Sequence, residues 1–270
     1  MAAQLATLRA QVESALAGRI LAPFTYRDRR EVETVPAGIA AIDSLTGGLP
    51  RGGVTEIFGP PCSGRTSVLI SALASRTAHA ESCALVDGRD SFDPHSAAMA
   101  GVRLKNLLWV RCRKIEHALR ATDLLLQSGG FGMVALDLSD LTPRLVRHVP
   151  LNTWFRFRRA IENTPTVLLL LEQESNAKTC ASLVLRLGAD AVRWNIAAAK
   201  SRNLVMHSRL LGGVSAHADV VRSRIKMASV VPFARGFSAT GQESKERGAV
   251  FEMKACWNYP EGVFHGLQKR

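Results

Sequence analysis

Cysteine is scarce and shows no pairing pattern. The 270-residue chain holds five cysteines, at 62, 83, 112, 180 and 256, with no CxxC pair among them. An odd, scattered set argues against a disulfide framework or a zinc ribbon, and for reduced thiols in a cytoplasmic compartment. Long apolar runs are missing too: nothing approaches ~18 consecutive apolar residues, so no segment reads as a membrane-spanning helix. The first twenty residues carry Arg9, Glu13 and Arg19 and lack a continuous apolar stretch, which is not the pattern of a signal peptide. There is no internal repeat and no low-complexity segment. Acidic residues are outnumbered, 23 against 35 Lys and Arg.

What remains is an ordinary globular composition with an unusual charge. Hydrophobic residues make up 47% and charged residues 21%, enough for one large α/β domain with short additions at its ends. The formal net charge of +12 and the pI near 10.2 favour polyanionic partners. The excess is clustered. Five arginines and no acid lie between Arg144 and Arg159, and eight basic residues face one acid, Asp219, between Arg193 and Arg235. Such clusters suit a nucleic-acid surface; the alternatives are a solvated face or an acidic protein partner.

Along the chain, Leu5, Leu8, Val12 and Leu16 form one stripe of a helix over 1–20. This stripe packs on the chain's own core or on a neighbouring subunit. A Pro-containing link over 21–36 follows. Short apolar runs at 54–58, 83–86, 107–110, 133–136 and 167–171 then alternate with helical patterns over 66–79, 115–127, 154–162 and 179–187. That alternation predicts a parallel sheet with helices on both faces. In the 154–162 helix, Trp154, Phe157 and Ile161 are spaced three and four and read as core, leaving Arg156, Arg158 and Arg159 on the exposed side. After residue 190 the runs at 192–194, 204–210, 220–226 and 250–256 alternate like antiparallel strands added at a sheet edge. The stretch 236–246 reads as a polar Gly/Ser-rich loop. The expected organisation is an N-terminal helix and linker (1–35), an α/β core (36–235), and a C-terminal loop, edge strand and tail (236–270).

The most informative stretch is Gly59-Pro60-Pro61-Cys62-Ser63-Gly64-Arg65-Thr66-Ser67. It has the spacing of a phosphate-binding loop between a strand and a helix, with Arg65 where that motif carries lysine. Its glycines let successive N–H groups converge on phosphate oxygens, and the following helix adds its positive end. Thr66 would supply the hydroxyl that holds Mg²⁺. An arginine there is longer, planar and forked. The alternative is a glycine-rich turn that binds nothing.

The runs Gly48-Leu49-Pro50-Arg51-Gly52, Glu56-Ile57-Phe58-Gly59-Pro60, Leu85-Val86-Asp87, Phe92-Asp93-Pro94, Asn106-Leu107-Leu108 and Leu141-Thr142-Pro143 together resemble the RecA recombinase family. The resemblance covers roughly residues 36–230. It implies a RecA-like P-loop core with a mostly parallel twisted sheet and antiparallel edge strands, and it implies ATP with Mg²⁺ as ligands. It gives Asp137 the place of the carboxylate that orients Mg²⁺ through water, and Gln173 that of the glutamine that senses the γ-phosphate. Arg222 and Arg224 resemble a basic pair that reaches a neighbouring subunit's nucleotide, so self-association is implied as well. Arg89 stands where the family has its catalytic glutamate, with Asp90 adjacent, and the segment after Gln173 is shorter than the family's DNA-binding loop. A core altered in these ways resembles the ImuA group, RecA-related proteins that accompany lesion-bypass polymerases in mutagenic translesion synthesis. This implies a DNA-repair and damage-response role, a DNA polymerase or accessory protein as partner, contact with single-stranded DNA, and weak or absent ATP turnover. The alternatives are an active single-stranded-DNA-dependent ATPase and recombinase, and a damage-induced inhibitor of cell division.

Overall fold

The computed structural model describes residues 32–195, 210–224 and 248–254. The helix expected over 1–20, most of the strand at 204–210, the loop at 236–246 and the final tail lie outside them. Eight strands make the central sheet: β3 (Val54–Phe58), β4 (Cys83–Asp87), β5 (Leu107–Arg111), β6 (Met133–Asp137), β7 (Val167–Glu172), β8 (Leu183–Asn195), β9 (Leu210–Ser223) and β10 (Gly248–Lys254). Their order across the sheet is β10-β9-β8-β3-β7-β6-β4-β5. From β8 through to β5 every pairing is parallel, whereas β8–β9 and β9–β10 are antiparallel. A separate two-stranded ribbon joins β1 (Thr34–Val35) to β2 (Leu49–Pro50).

The inner strands are apolar on both sides because both sides are covered. Beneath one face, α1 (Ala40–Thr46) and α2 (Arg65–Ala78) bury Ile42, Leu45, Val68, Leu69 and Leu73 against Ile57, Leu85, Leu169 and Leu185. On the other face, α4 (Ile115–Ser128) and α6 (Leu151–Ile161) bury Ala118, Leu126, Trp154 and Phe157 against Val86, Leu136, Leu168 and Leu170. The short helices α3 (Pro94–Met99) and α5 (Pro143–Arg147) both open on proline at their first turn, where its missing N–H costs nothing. In α6 the stripe Trp154, Phe157, Ile161 is buried as its spacing requires, with the two rings edge to face at 6.0 Å. The opposite side carries Arg156, whose Nε donates to Asp123 of α4 at 2.9 Å.

One expected helix is a strand. The stretch 179–187 was expected to be helical; instead a single 3₁₀ turn, Lys178–Cys180, leads straight into β8. Leu183, Leu185 and Leu187 point into one core cluster while Val184 points into the other, and that alternation of faces is a strand's. The edge strands are also longer than the short runs expected. The run at 192–194 is the end of a 13-residue β8, and β9 pairs with it through three register irregularities. Strand β9 ends at Ser223, and β10 begins two residues before the expected run at 250.

Because Phe157 is wholly buried between α4, α6 and the sheet, truncation to alanine should lower unfolding free energy by roughly 3–5 kcal/mol. Urea denaturation followed by circular dichroism measures it; a loss below about 1 kcal/mol would mean the stripe does not anchor this face.

Candidate functional site

Strand β3 runs from the floor of the sheet to Phe58, and the chain then turns through Gly59–Gly64 into α2. Two glycines here have no substitute. A Cβ on Gly59 would stand 2.4 Å from the Leu187 carbonyl oxygen of β8. Gly64, at φ 93°, caps α2 in the left-handed region, and a Cβ there would meet the Met253 thioether of β10 at 2.8 Å. Cys62 also takes a left-handed φ, 62°, and is exposed. Helix α2 starts without a side-chain cap, so the N–H groups of its first turn have no intrahelical acceptor.

Those groups face a cavity of roughly 310 Å³ lined by Cys62, Ser63, Gly64, Arg65, Thr66 and Ser67 on one side and by Leu211, Gly213, Val214 and Met253 on the other. That volume is at the lower end for small-molecule sites. Ser63 is wholly buried and its Oγ has no hydrogen-bond partner among the described residues. The wall from β9 and β10 was not foreseen from sequence, since nothing near the loop signals strands some 150–190 residues away.

Arg65 is 6% exposed. Its Nη1 donates to the Glu172 carbonyl at 2.8 Å and more weakly to the Ser139 carbonyl at 3.4 Å, so the guanidinium is fixed to the tips of β6 and β7. Burial lowers its pKa, and the charges of Asp137 and Asp140 oppose that shift. Asp137 ends β6 as expected, but its Oδ1 accepts the Ser139 N–H at 2.9 Å and burial raises its pKa. Gln173 lies beside the same loop: its Nε2 donates to the Ser139 and Leu141 carbonyls at 2.9 and 3.1 Å.

The uncapped N–H groups at the start of α2, beside this cavity, suit a phosphate chain; the carbonyls that hold the Arg65 guanidinium, those of Glu172 and Ser139, do not line the cavity. Of the two residues expected to hold Mg²⁺, Thr66 lines the cavity and Asp137 does not; the Asp137 carboxylate accepts the Ser139 N–H instead. Among the described residues no three His, Cys, Asp or Glu side chains converge to hold a metal ion.

Two acids near the strand tips are already engaged. Asp87 is buried and accepts from the Arg89 and Phe92 N–H groups and from Trp109 Nε1. Asp90, at φ 61°, binds Arg111 by both oxygens, at 2.5 and 2.7 Å, and Arg111 in turn lies over the Trp109 ring at 4.9 Å. Arg89 is exposed. The carboxylate next to the glutamate's place is therefore held toward β5.

The segment after Gln173 is pinned at many points. Glu56, in the middle of β3, accepts from Ser175 Oγ, Asn176 N and Ala177 N at 2.8, 2.6 and 2.9 Å. Asn176 Nδ2 donates to Glu172 Oε2 at 2.7 Å. Burial and the Glu56 charge push the Glu172 carboxyl up to about 8, and its Oε1 has no hydrogen-bond partner among the described residues. A glutamate inside the apolar run 54–58 was the available signal for this pair. Arg222 Nη1 and Arg224 Nη2 donate to the Lys178 and Thr179 carbonyls at 2.6 and 2.7 Å; burial pushes the Cys180 thiol up, and the nearby charges of Arg158 and Arg224 oppose that shift. Two basic clusters far apart in sequence thus meet at one turn. Arg159 is exposed, and Arg156 pairs with Asp123.

Residues 4–147 match the RecA N-terminal domain family. Protein RecA of Brucella anthropi is 39% identical over 117 residues, 42% of this chain and 32% of that protein. Protein RecA of Bartonella quintana is 37% identical over 117 residues, 42% and 34%. Protein RecA of Cutibacterium acnes is 33% identical over 143 residues, 52% and 41%. The matched part spans about a third to two fifths of the length of these relatives.

An acid whose native pKa is raised keeps its proton longer when folded. Glu172 therefore contributes most below its ordinary value of 4.5, and its contribution is lost as pH rises to about 8. Replacing Glu172 by Gln should flatten the fall in urea-unfolding free energy across that window; an unchanged slope would show that Glu172 does not titrate there.

Proposed function

The chain belongs to the RecA N-terminal domain family, and on that premise we propose that it is a DNA-repair protein of the ImuA type: an accessory factor of mutagenic translesion synthesis that binds a nucleotide's phosphates but turns ATP over weakly or not at all. The observation that carries the reading is Arg65, whose guanidinium is tied to main-chain carbonyls of β7 and of the loop after β6. A P-loop lysine is a mobile point charge that follows the γ-phosphate; a forked cation fixed to the sheet is not. The place of the family's general base is taken by exposed Arg89, and Asp90 is engaged by Arg111. Loss of a general base alone costs about 10²–10⁴ in rate.

The pinned segment after Gln173 supports the same reading. A loop that orders on single-stranded DNA must be free to move, and this one is held by Glu56, Asn176, Arg222 and Arg224. The basic residues Arg158, Lys178, Arg222 and Arg224 around that turn form the surface by which single-stranded DNA is contacted through its phosphates. A lesion-bypass polymerase is the protein partner. No helix among the described residues is long and apolar enough to cross a membrane.

The test has two arms. ATP turnover by the purified full chain should stay at background with or without single-stranded DNA. Deletion of its gene in the source organism should sharply cut damage-induced base-substitution mutagenesis while homologous recombination persists. DNA-stimulated turnover, or lost recombination, would instead identify an active recombinase.

A further inference from the structure

The cavity beside the first turn of α2 has two unlike walls. One offers main-chain N–H groups that have no intrahelical acceptor. The other is built on the side chains of Leu211, Val214 and Met253, which offer a phosphate oxygen no donor. This apolar wall continues beyond the cavity. In the sheet Val192 of β8 lies directly across from Val214, and Trp194 directly across from Leu211, while Met253 of β10 flanks Val214 on its other side. Residues directly opposite in an antiparallel pair share a face, with Cβ atoms about 5 Å apart. Arg193, between Val192 and Trp194, pairs instead with Glu252, the neighbour of Met253 in sequence, and so marks the opposite face. One face of these edge strands therefore carries an apolar strip, Met253–Val214–Val192 followed by Leu211–Trp194. Its cavity end is half-buried, whereas Val192 and Trp194 at its outer end are 51% and 55% exposed.

We infer that this strip is the base platform of the nucleotide site: a purine nucleotide whose phosphates lie on the α2 N–H groups stacks its base on Trp194. This rests on the reading of the loop as a phosphate site. A ligand that satisfies both walls is anionic at one end and flat and apolar at the other, which is the chemistry of a nucleotide. An indole left half open to water is a surface that a stacked base covers favourably. The other members of the strip, Val192, Leu211, Val214 and Met253, are aliphatic and pack against a ring without stacking on it. The preference for a ligand with a base therefore depends on Trp194. Inorganic triphosphate, which has the anionic end alone, occupies the loop without reaching the strip.

The test is calorimetric titration of the full chain with ATP and with inorganic triphosphate, each in excess Mg²⁺ at physiological salt. The wild-type chain should bind ATP about tenfold or more tighter than triphosphate, the effect of one base stacked on an aromatic ring. Trp194→Ala should bring ATP down to the triphosphate affinity and leave triphosphate unchanged within about threefold. Trp194→Leu, which keeps apolar bulk and loses the ring, should behave in the same way, and it serves in place of the alanine variant should that one fail to fold. Equal wild-type affinities for the two ligands, or a folded variant that keeps the full preference for ATP, overturn the inference while leaving the phosphate loop in place. Binding of neither ligand by the wild-type chain overturns the inference and the phosphate-site reading together.

Discussion

A carboxylate buried in the middle of the central strand organises this sheet. Glu56 is wholly buried, and a charge in that position is tolerable only if its oxygens are fully hydrogen-bonded. Its three donors come from Ser175, Asn176 and Ala177, the stretch that carries the chain from β7 over β3 to β8. That crossing leaves β7 beside Phe58 and rejoins the sheet beside Thr55. The strand returns parallel with only a single 3₁₀ turn in between, because the carboxylate supplies acceptors that an α-helix would have supplied internally. Removing Glu56 would strand main-chain donors beneath the sheet and unpin the start of the β8–β9–β10 edge.

The same contacts reach the phosphate loop. Asn176 bridges from Glu56 to Glu172, and the Glu172 carbonyl holds Arg65. The raised pKa of Glu172 follows from its burial first and its closeness to Glu56 second: two buried carboxylates on neighbouring strands avoid repulsion when one of them keeps its proton. A chain of contacts therefore runs from the floor of the sheet to the Arg65 guanidinium at the strand tips. In the proposed reading this is why the arginine is a fixture of the site rather than a reagent in it. The loop that other members of such a fold would move and the cation that they would use are held by one network.

Much of this could be read from sequence, and the parts that could not share a cause. The spacing of Gly59, Gly64 and Thr66 located the loop, and the apolar runs located β3 to β7 with their helices on both faces. The stripe Trp154, Phe157, Ile161 told core from surface in α6. The stretch 179–187 failed because Cys180, Val184 and Leu187 are spaced four and three while Leu183, Leu185 and Leu187 alternate. Both periods are present, and pairing with β3 and β9 selects the strand. Side-chain direction was likewise out of reach. Spacing placed Arg65 in the loop, but its acceptors lie 74 and 107 residues away. Asp90 was visible beside the glutamate's place, yet its commitment to Arg111 depends on how β4 and β5 pair.

The most direct measurement is a crystal structure of the full chain grown with ATP and Mg²⁺. The account predicts triphosphate oxygens on the α2 N–H groups, with the Arg65 guanidinium still on the Glu172 carbonyl. An Arg65 released from the strand tips and seated on the γ-phosphate, or a loop that takes up no nucleotide, would contradict it.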